Sequence, residues 1–422
     1  MNQNLNQNGN QNGNQNIKRT LPSPSALSEL LKFRKFEFNG RKRRLAAAHT
    51  IWDLREIAKA RTPKGPFDYT DGGAELEISL NRSRKVFSNI EFAPKILQDV
   101  SSISTQAKVL GNTFALPFGI APTGFTRMMH AEGELAVAKA AAKYGIPYSL
   151  STVGTTSIED IVSAAPNGVN WFQLYMWKDR GASMQLVERA KQAGVTNLIL
   201  TVDVPVAGAR LRDVRNGLTV PPTLSLSTII DAVPRREWWW NFLTTKPLEF
   251  ASMSNWNGTV AELLDYMFDP TMTFDDLKWL RKNWDGTLTV KGIQTLDDAK
   301  KAARYGADAV ILSNHGGRQL DRAPVPLMLV EQVSKELKKD VEVHLDSGIM
   351  SGADIVAAIA LGADFTYIGK AYLYGLMAGG QEGVERCLTI IESQIIRTMK
   401  LLGAKDLREL TPKQVKILDR LQ

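Results

Sequence analysis

The feature that most constrains the fold is a repeated alternation of short apolar, β-branched runs with helix-like stretches. The runs are Leu116–Ala121, Ile146–Leu150, Trp171–Leu174, Leu198–Val202, Leu288–Val290, Ala309–Leu312, Val341–Leu345 and Phe365–Ile368. Each ends in Gly, Pro, Ser or an ionisable residue. Ala-rich segments lie between or after them, among them Gly133–Lys143, Ser183–Ala193, Leu296–Tyr305, Ala353–Leu361 and Gln381–Met399. Strand, helix, strand in succession implies parallel pairing through right-handed crossovers. Eight such units, most about 25–35 residues long, predict an α/β fold of the TIM (β/α)8 barrel type over an open doubly wound sheet.

One connection breaks the rhythm. About 80 residues separate the fourth run from the fifth, far above ordinary loop length, so a long insertion is predicted at about 211–285. It holds Pro221–Pro222, the pair Arg235–Arg236, then Trp238, Trp239 and Trp240, and Trp256. Aromatic residues beside cations suit the headgroup level of a bilayer. The same tryptophans suit the core of a capping subdomain, so both readings stand.

Upstream, residues 1–16 form a Gln/Asn/Gly tail with nothing to bury, and disorder is expected there. Residues 17–110 read as an N-terminal helical and basic region, and 111–422 as the barrel. Seven cations between Lys32 and Arg44 interleave with Phe33, Phe36 and Phe38. That pattern fits phosphate headgroups or RNA, and equally a solvated surface arm.

Composition removes several classes. With 44% hydrophobic residues in 422, the chain can bury a large core and wholesale disorder is excluded. The single cysteine, Cys387, excludes a disulfide framework and a Cys-based zinc finger, and suits a reducing compartment. No metal is expected. No apolar run reaches the roughly 18 residues of a membrane-spanning helix, and the first residues lack the pattern of a signal peptide. The formal charge of +8 suits anionic ligands or surfaces without choosing among them.

In a (β/α)8 barrel the active site lies at the C-terminal ends of the strands. The eight runs end at Ala121-Pro122-Thr123-Gly124, Ser149-Leu150-Ser151, Phe172-Gln173-Leu174-Tyr175, Leu200-Thr201-Val202-Asp203, Thr289-Val290-Lys291-Gly292, Ser313-Asn314-His315-Gly316-Gly317-Arg318-Gln319, Leu345-Asp346-Ser347-Gly348 and Tyr367-Ile368-Gly369-Lys370. Hydrogen-bonding groups at all eight mouths point to a site. His315 lies beside two glycines that allow a tight turn, and its imidazole titrates near neutrality, as a general base requires. Asp203 is placed to orient that ring, and Arg318 offers a planar fork for a carboxylate. His49, His130 and His344 lack such context and are read as structural. Ser347-Gly348, opening into Ser351-Gly352-Ala353-Asp354, and Gly369-Lys370 suit a phosphate cradle at a helix N-terminus. Plain turn chemistry uses the same residues.

The run Ser313–Asp321 resembles the signature of the FMN-dependent α-hydroxy acid dehydrogenase/oxidase family, which includes glycolate oxidase, mandelate dehydrogenase and flavin L-lactate dehydrogenases. The resemblance covers roughly residues 50–410. Pro117–Glu134 and Thr201–Gly217 look most like bacterial respiratory, quinone-dependent L-lactate dehydrogenases. It implies that FMN is the cofactor, His315 the proton acceptor and Asp203 its partner. Arg210 and Arg318 would grip the substrate carboxylate, with Tyr69 and Tyr175 lining the substrate site. Backbone at Pro122, Thr123 and Gly124 would face flavin N5, while Ser151, Gln173 and Thr201 hydrogen-bond the ring. Lys291 would stand beside N1, where a cation stabilises the anionic reduced flavin. Asp346, Ser347, Gly348, Gly369 and Lys370 complete the implied cofactor set.

Two positions depart from the family pattern. After the seventh strand the family has Asp-Gly-Gly-x-Arg, and here stands Asp346-Ser347-Gly348-Ile349-Met350. After the glycine of the eighth strand the family has Arg, and here stands Lys370. One phosphate cation is missing and another is a point charge instead of a fork. The resemblance implies oxidation of an L-2-hydroxy acid, with L-lactate going to pyruvate and electrons to membrane quinone. The alternatives are a soluble oxidase using O2, or a different substrate such as mandelate or glycolate. It further implies a homo-oligomer, a tetramer by analogy, in the cytoplasm at the inner face of the cell membrane, with no nucleic acid partner.

Overall fold

All eight predicted runs are strands: β1 Phe118–Thr123, β2 Tyr148–Ser151, β3 Asn170–Leu174, β4 Asn197–Thr201, β5 Thr287–Ile293, β6 Ala309–Leu312, β7 Glu342–Leu345 and β8 Phe365–Ile368. Each pairs in parallel with its neighbours in sequence, and β8 pairs with β1 through Thr366↔Phe118 and Ile368↔Ile120, which closes the barrel. These strands are buried almost throughout, as a sheet covered by helices outside and filled by side chains inside requires.

The computed structural model describes residues 20–32, 37–217, 230–231, 233–248, 251, 267–337 and 339–418. The 1–16 tail, Phe33, Phe36, Pro221–Pro222 and Trp256 lie outside them. The chain divides into two units, Met1–Arg43 and Arg44–Gln422. The first contains the helix Pro24–Leu30, whose N-terminus is capped by Ser23. The second contains the whole barrel.

Three helices before the barrel matter for the site: α1 Ile51–Arg61, α2 Lys64–Asp71 and α3 Ile78–Ser88. α1 starts at a capping box in which Thr50 and Asp53 satisfy each other's backbone N–H, and it buries Ile51, Leu54 and Ala58. The hairpin Ala107–Val109/Asn112–Phe114 places Phe114 against Trp171 and Phe365, with ring centroids 5.8 Å apart in both cases. After the barrel, α8 (Lys370–Leu402) kinks at Gly379–Gly380 and packs against α1 and against α4 (Gly133–Lys143).

Within the insertion, α5 (Leu211–Arg215) follows directly on Arg210, and α6 (Arg236–Thr244) carries the three consecutive tryptophans. Here the two readings divide by residue. Trp238 stacks on Phe242 at 5.0 Å and donates from Nε1 to the Met128 carbonyl at 3.1 Å, so it packs. Trp240 is 70% exposed and Leu243 73%, so one face of the same helix is apolar and bare. Arg235 donates to the Thr62 carbonyl at 2.7 Å and pairs with Asp231, which ties it to the body. The helix Phe274–Asn283, inside the range expected for the insertion, buries Leu277 and Leu280 and leads into β5.

Candidate active site

A cavity of about 630 Å³ opens at the C-terminal ends of the strands. Tyr69, Pro122, Thr123, Gly124, Tyr175, Arg210, Lys291, His315, Arg318, Asp346, Ser347, Gly348, Gly369 and Lys370 line it. Asp203, Ser151, Gln173 and Thr201 are buried outside that lining. Every residue expected at the site is therefore at or next to one cavity.

His315 Nδ1 lies 3.0 Å from Asp203 Oδ1. The ring's other nitrogen, Nε2, is thereby left as the one able to take a proton. The loop that presents it has positive φ at three successive residues, His315 (59°), Gly316 (64°) and Gly317 (73°). Hydrogen bonds hold this turn: Ser347 Oγ accepts from Gly316 N at 3.0 Å, and Ser313 Oγ accepts from His315 N at 3.0 Å. Gly292 makes room for the pair, because a Cβ there would stand 2.7 Å from the Asp203 side chain. Burial, then the charge of Lys291, holds His315 below the ordinary imidazole range against the pull of Asp203. Burial opposes ionisation of Asp203, but His315 and Lys291 hold its carboxyl below the usual range. The result is a neutral base beside a carboxylate. That is the protonation state a proton acceptor needs.

Two guanidiniums line the same cavity. Arg318 lies over the Tyr69 ring at 4.6 Å and Arg210 over the same ring at 5.5 Å. Arg318 also donates to the Tyr69 carbonyl. Burial and the neighbouring Arg210 pull Arg318 down to about 10. Two like charges in one buried place are relieved by an anion between them, and a carboxylate matches their geometry. Tyr175 packs edge-on against Phe268 at 5.4 Å, and burial pushes its phenol up.

Lys291 is almost fully buried, 3.3 Å from Ser313 Oγ and 3.5 Å from Asp346 Oδ2. Ser151 Oγ donates to Gln173 Oε1 at 2.8 Å, which leaves Gln173 Nε2 without a partner among the described residues. Thr201 Oγ1 is unpartnered in the same way. Buried polar atoms left unpaired cost about 1–3 kcal/mol each, so donors and acceptors grouped beside a buried lysine fit a polar heteroaromatic ring.

The part of the wall around Lys370 and Gly348 differs from expectation in detail. Lys370 Nζ donates to the carbonyls of Thr70 at 2.9 Å, Asp71 at 3.1 Å and Gly72 at 2.5 Å. Burial and the charges of Arg318 and Arg84 set it well below the ordinary lysine range. At the start of α7 (Gly352–Ala360), Asp354 accepts from Met350 N and Ser351 N, and Gln394 accepts from Gly352 N. Those amides are satisfied within the chain, so turn chemistry accounts for Ser351–Asp354. Gly348 (φ 88°) passes so close to α3 that a Cβ would stand 2.0 Å from the Ser83 carbonyl oxygen.

Asp71, two residues after Tyr69, is a site residue that the sequence pattern does not mark. Its carboxylate accepts from Arg55 Nε at 2.7 Å, Tyr374 OH at 2.7 Å and Arg212 Nη1 at 3.0 Å. Burial opposes its ionisation, but the Arg55 and Tyr374 hydrogen bonds hold it well below the usual carboxylate range. The Tyr69–Gly72 segment is thus anchored through Asp71 while its carbonyls hold Arg318 and Lys370. Nothing local marks this aspartate, because its partners come from α1, α5 and α8.

This combination defines a barrel flavoenzyme that acts on a carboxylate-bearing substrate. The model of the FMN-dependent dehydrogenases matches residues 58–417, and the chain belongs to that family, the FMN-dependent α-hydroxy acid dehydrogenases. It is 58% identical over 405 residues to a putative L-lactate dehydrogenase of Mycobacterium tuberculosis, covering 96% of this chain and 98% of that one. It is 39% identical over 366 residues to an L-lactate dehydrogenase of Vibrio cholerae, covering 85% and 96%. Among solved structures it resembles the monotopic membrane protein (S)-mandelate dehydrogenase, with TM-score 0.85, 38% identity and coverage of 88% and 100%. Mandelate oxidase follows the same fold, with TM-score 0.76, 32% identity and coverage of 88% and 98%.

Proposed function

We propose that this protein oxidises L-lactate to pyruvate and passes the electrons to membrane quinone. The observation that carries the reading is an imidazole, paired with a carboxylate, in one cavity with two guanidiniums and a buried lysine. FMN supplies a two-electron acceptor when bound. Ser151, Gln173, Thr201, Lys291 and the backbone of Pro122, Thr123 and Gly124 would hold its ring system. Asp346, Ser347, Gly348, Gly369 and Lys370 would serve the remainder. Arg210 and Arg318 hold the substrate carboxylate, while Tyr69 and Tyr175 bound the space for its side chain. His315 Nε2 takes a proton from the substrate, and Asp203 stabilises the imidazolium that forms.

The names of the relatives support L-lactate. The mandelate enzymes support the second reading, a larger 2-hydroxy acid in the same cavity. Anaerobic bleaching of the bound flavin by L-lactate, glycolate and L-mandelate separates them, with L-lactate expected to bleach fastest. Faster bleaching by L-mandelate would replace the substrate and keep the reaction.

Exposed Trp240 and Leu243 support attachment to the inner face of the membrane, where quinone resides. Among the described residues no helix is long and apolar enough to cross a membrane. Oxygen is the competing acceptor. Turnover with a quinone analogue, measured against oxygen uptake, decides between them, and the quinone analogue is expected to win. Assembly as a homo-tetramer is part of the proposal, and light scattering of the purified protein tests it.

A further inference from the structure

The insertion returns to the barrel beside Tyr175, the residue that directly follows β3. Met267 and Phe268, ahead of the helix Phe274–Asn283, are both buried. Phe268 lines the cavity and sets its ring edge-on against Tyr175, with centroids 5.4 Å apart. The next residue, Asp269, is held from the same loop as Tyr175, because Arg180 pairs with its carboxylate at 2.7 Å. Asp269 Oδ1 also accepts from Thr271 N at 2.9 Å and from Thr271 Oγ1 at 2.6 Å, which fixes the turn. Arg180 Nε donates in addition to Asp276 Oδ1 at 2.9 Å. A ring contact and an ion pair, side by side, thus clasp the end of the insertion to the loop after β3.

The ion pair is the firm part of this clasp. The Asp269 side chain is 2% exposed, so loss of Arg180 would strand a buried charge. The ring it holds in place faces the ground assigned to the substrate. The charges that act on the Tyr175 hydroxyl are those of Asp203, Arg210 and Arg318. Phe268 is therefore one ring removed from the partner of the base and from the carboxylate grip. It carries no charge and no hydrogen-bonding group, so volume is what it contributes there. Phe125 makes a similar contact on Tyr69, edge-on at 6.2 Å, and it too lines the cavity. It belongs to the turn after β1, whereas Phe268 is the apolar ring that the insertion brings to this wall.

We propose that Phe268 is a specificity-determining residue: clasped against Tyr175, it limits the substrate to a 2-hydroxy acid with a short aliphatic side chain. The inference rests on the oxidation proposed above and narrows its substrate class. A methyl or ethyl group on C2 leaves both rings where they stand. A phenyl group or a long alkyl chain has to displace Phe268 or Tyr175, and both are held. Asp269 ties down the first through Arg180, and Thr152 Oγ1 accepts from Tyr175 N at 3.0 Å. Overfilling a packed wall of this kind forces side chains out of their preferred rotamers. A smaller side chain at position 268 makes room in two ways. It vacates space at the wall itself, and it lets the Tyr175 ring tilt into the gap. The proton-accepting and carboxylate-binding groups keep their places in either case, because Phe268 shares no hydrogen bond with them.

The test is a ratio. The FMN-loaded full chain is mixed anaerobically with L-lactate, L-2-hydroxybutyrate, L-2-hydroxyhexanoate or L-mandelate, and the second-order rate of flavin bleaching is recorded for each. In the unmodified protein the rate is expected to fall once the side chain exceeds ethyl. Phe268→Ala is expected to raise the rate with L-mandelate relative to L-lactate by roughly tenfold, and Phe268→Leu by a smaller factor. The ratio cancels any general loss of folded or flavin-loaded protein. Affinities for phenylglyoxylate and pyruvate, read without turnover from the spectrum of the oxidised flavin, are expected to shift in the same sense. An unchanged or falling ratio in both variants would overturn the role of Phe268 and leave the oxidation standing. Faster bleaching by L-mandelate than by L-lactate in the unmodified protein would overturn the short-chain limit. If no 2-hydroxy acid bleaches it at all, the oxidation reading itself fails and the limit falls with it.

Discussion

Two adjoining regions of the cavity wall, here called its His315 and Gly348 ends, are built in different ways. At the His315 end, side chains meet side chains: Asp203 on His315, Tyr69 under two arginines, Lys291 between Ser313 and Asp346. At the Gly348 end, backbone dominates. Lys370 donates to three carbonyls, and the amides that open α7 are already capped. Proton transfer needs one particular functional group, which only a few residue types supply. An anion cradle is made of N–H groups that every residue but proline carries. The first kind of site is written in residue identity, the second mostly in conformation.

Breaking the side-chain end should have the largest effect. His315→Gln keeps the size of the side chain but cannot accept the proton. The rate of flavin bleaching by L-lactate is expected to fall by roughly 10³-fold with FMN still bound. Rapid bleaching in stopped flow would remove His315 from its role.

Breaking the backbone end should cost stability and cofactor together. Gly348→Ala adds a Cβ 2.0 Å from the Ser83 carbonyl oxygen at φ 88°. A loss of about 2–4 kcal/mol is expected, read as a fall in melting temperature and in FMN content after gel filtration. An unchanged melt with full flavin would show that α3 can move aside.

Asp71 joins the two ends. Asp71→Asn keeps the shape but removes the charge that gathers Arg55 and Arg212. KM for L-lactate is expected to rise roughly tenfold while FMN affinity weakens with it, about 1.4 kcal/mol at each end. If only one of the two constants moves, the Tyr69–Gly72 segment does not couple them.

The mildest probe is pH. His315 titrates below the ordinary imidazole value in the folded protein. Its neutral form is the base, so kcat/KM is expected to rise with pH through that depressed value and then stay level across neutrality. The sign for stability is the same. A base whose folded pKa is lowered binds fewer protons folded than unfolded, so it favours the unfolded state as pH falls below the unfolded value near 6.5. An activity limb centred above neutrality would contradict a neutral resting imidazole.

The alternation of apolar runs and Ala-rich helices was enough for the barrel, because strand and helix periods are local properties of the chain. It placed all eight strands within a few residues, and the polar letters at their ends named His315, Asp203, Arg318 and Lys291, while Arg210 came from the family resemblance. The tertiary structure decided what those letters leave open. It separated Trp238, which packs, from Trp240, which does not, through contacts between the insertion and the Met128 loop. It turned Lys370 onto the Thr70–Gly72 carbonyls, and revealed Asp71 as the anchor of that segment. It also joined His344, read as structural from the sequence, to Tyr367 and Glu342. Residues far apart in the chain acquire such partners only when the barrel closes, because hydrogen bonds and charges act over a few ångströms, whatever the separation in sequence.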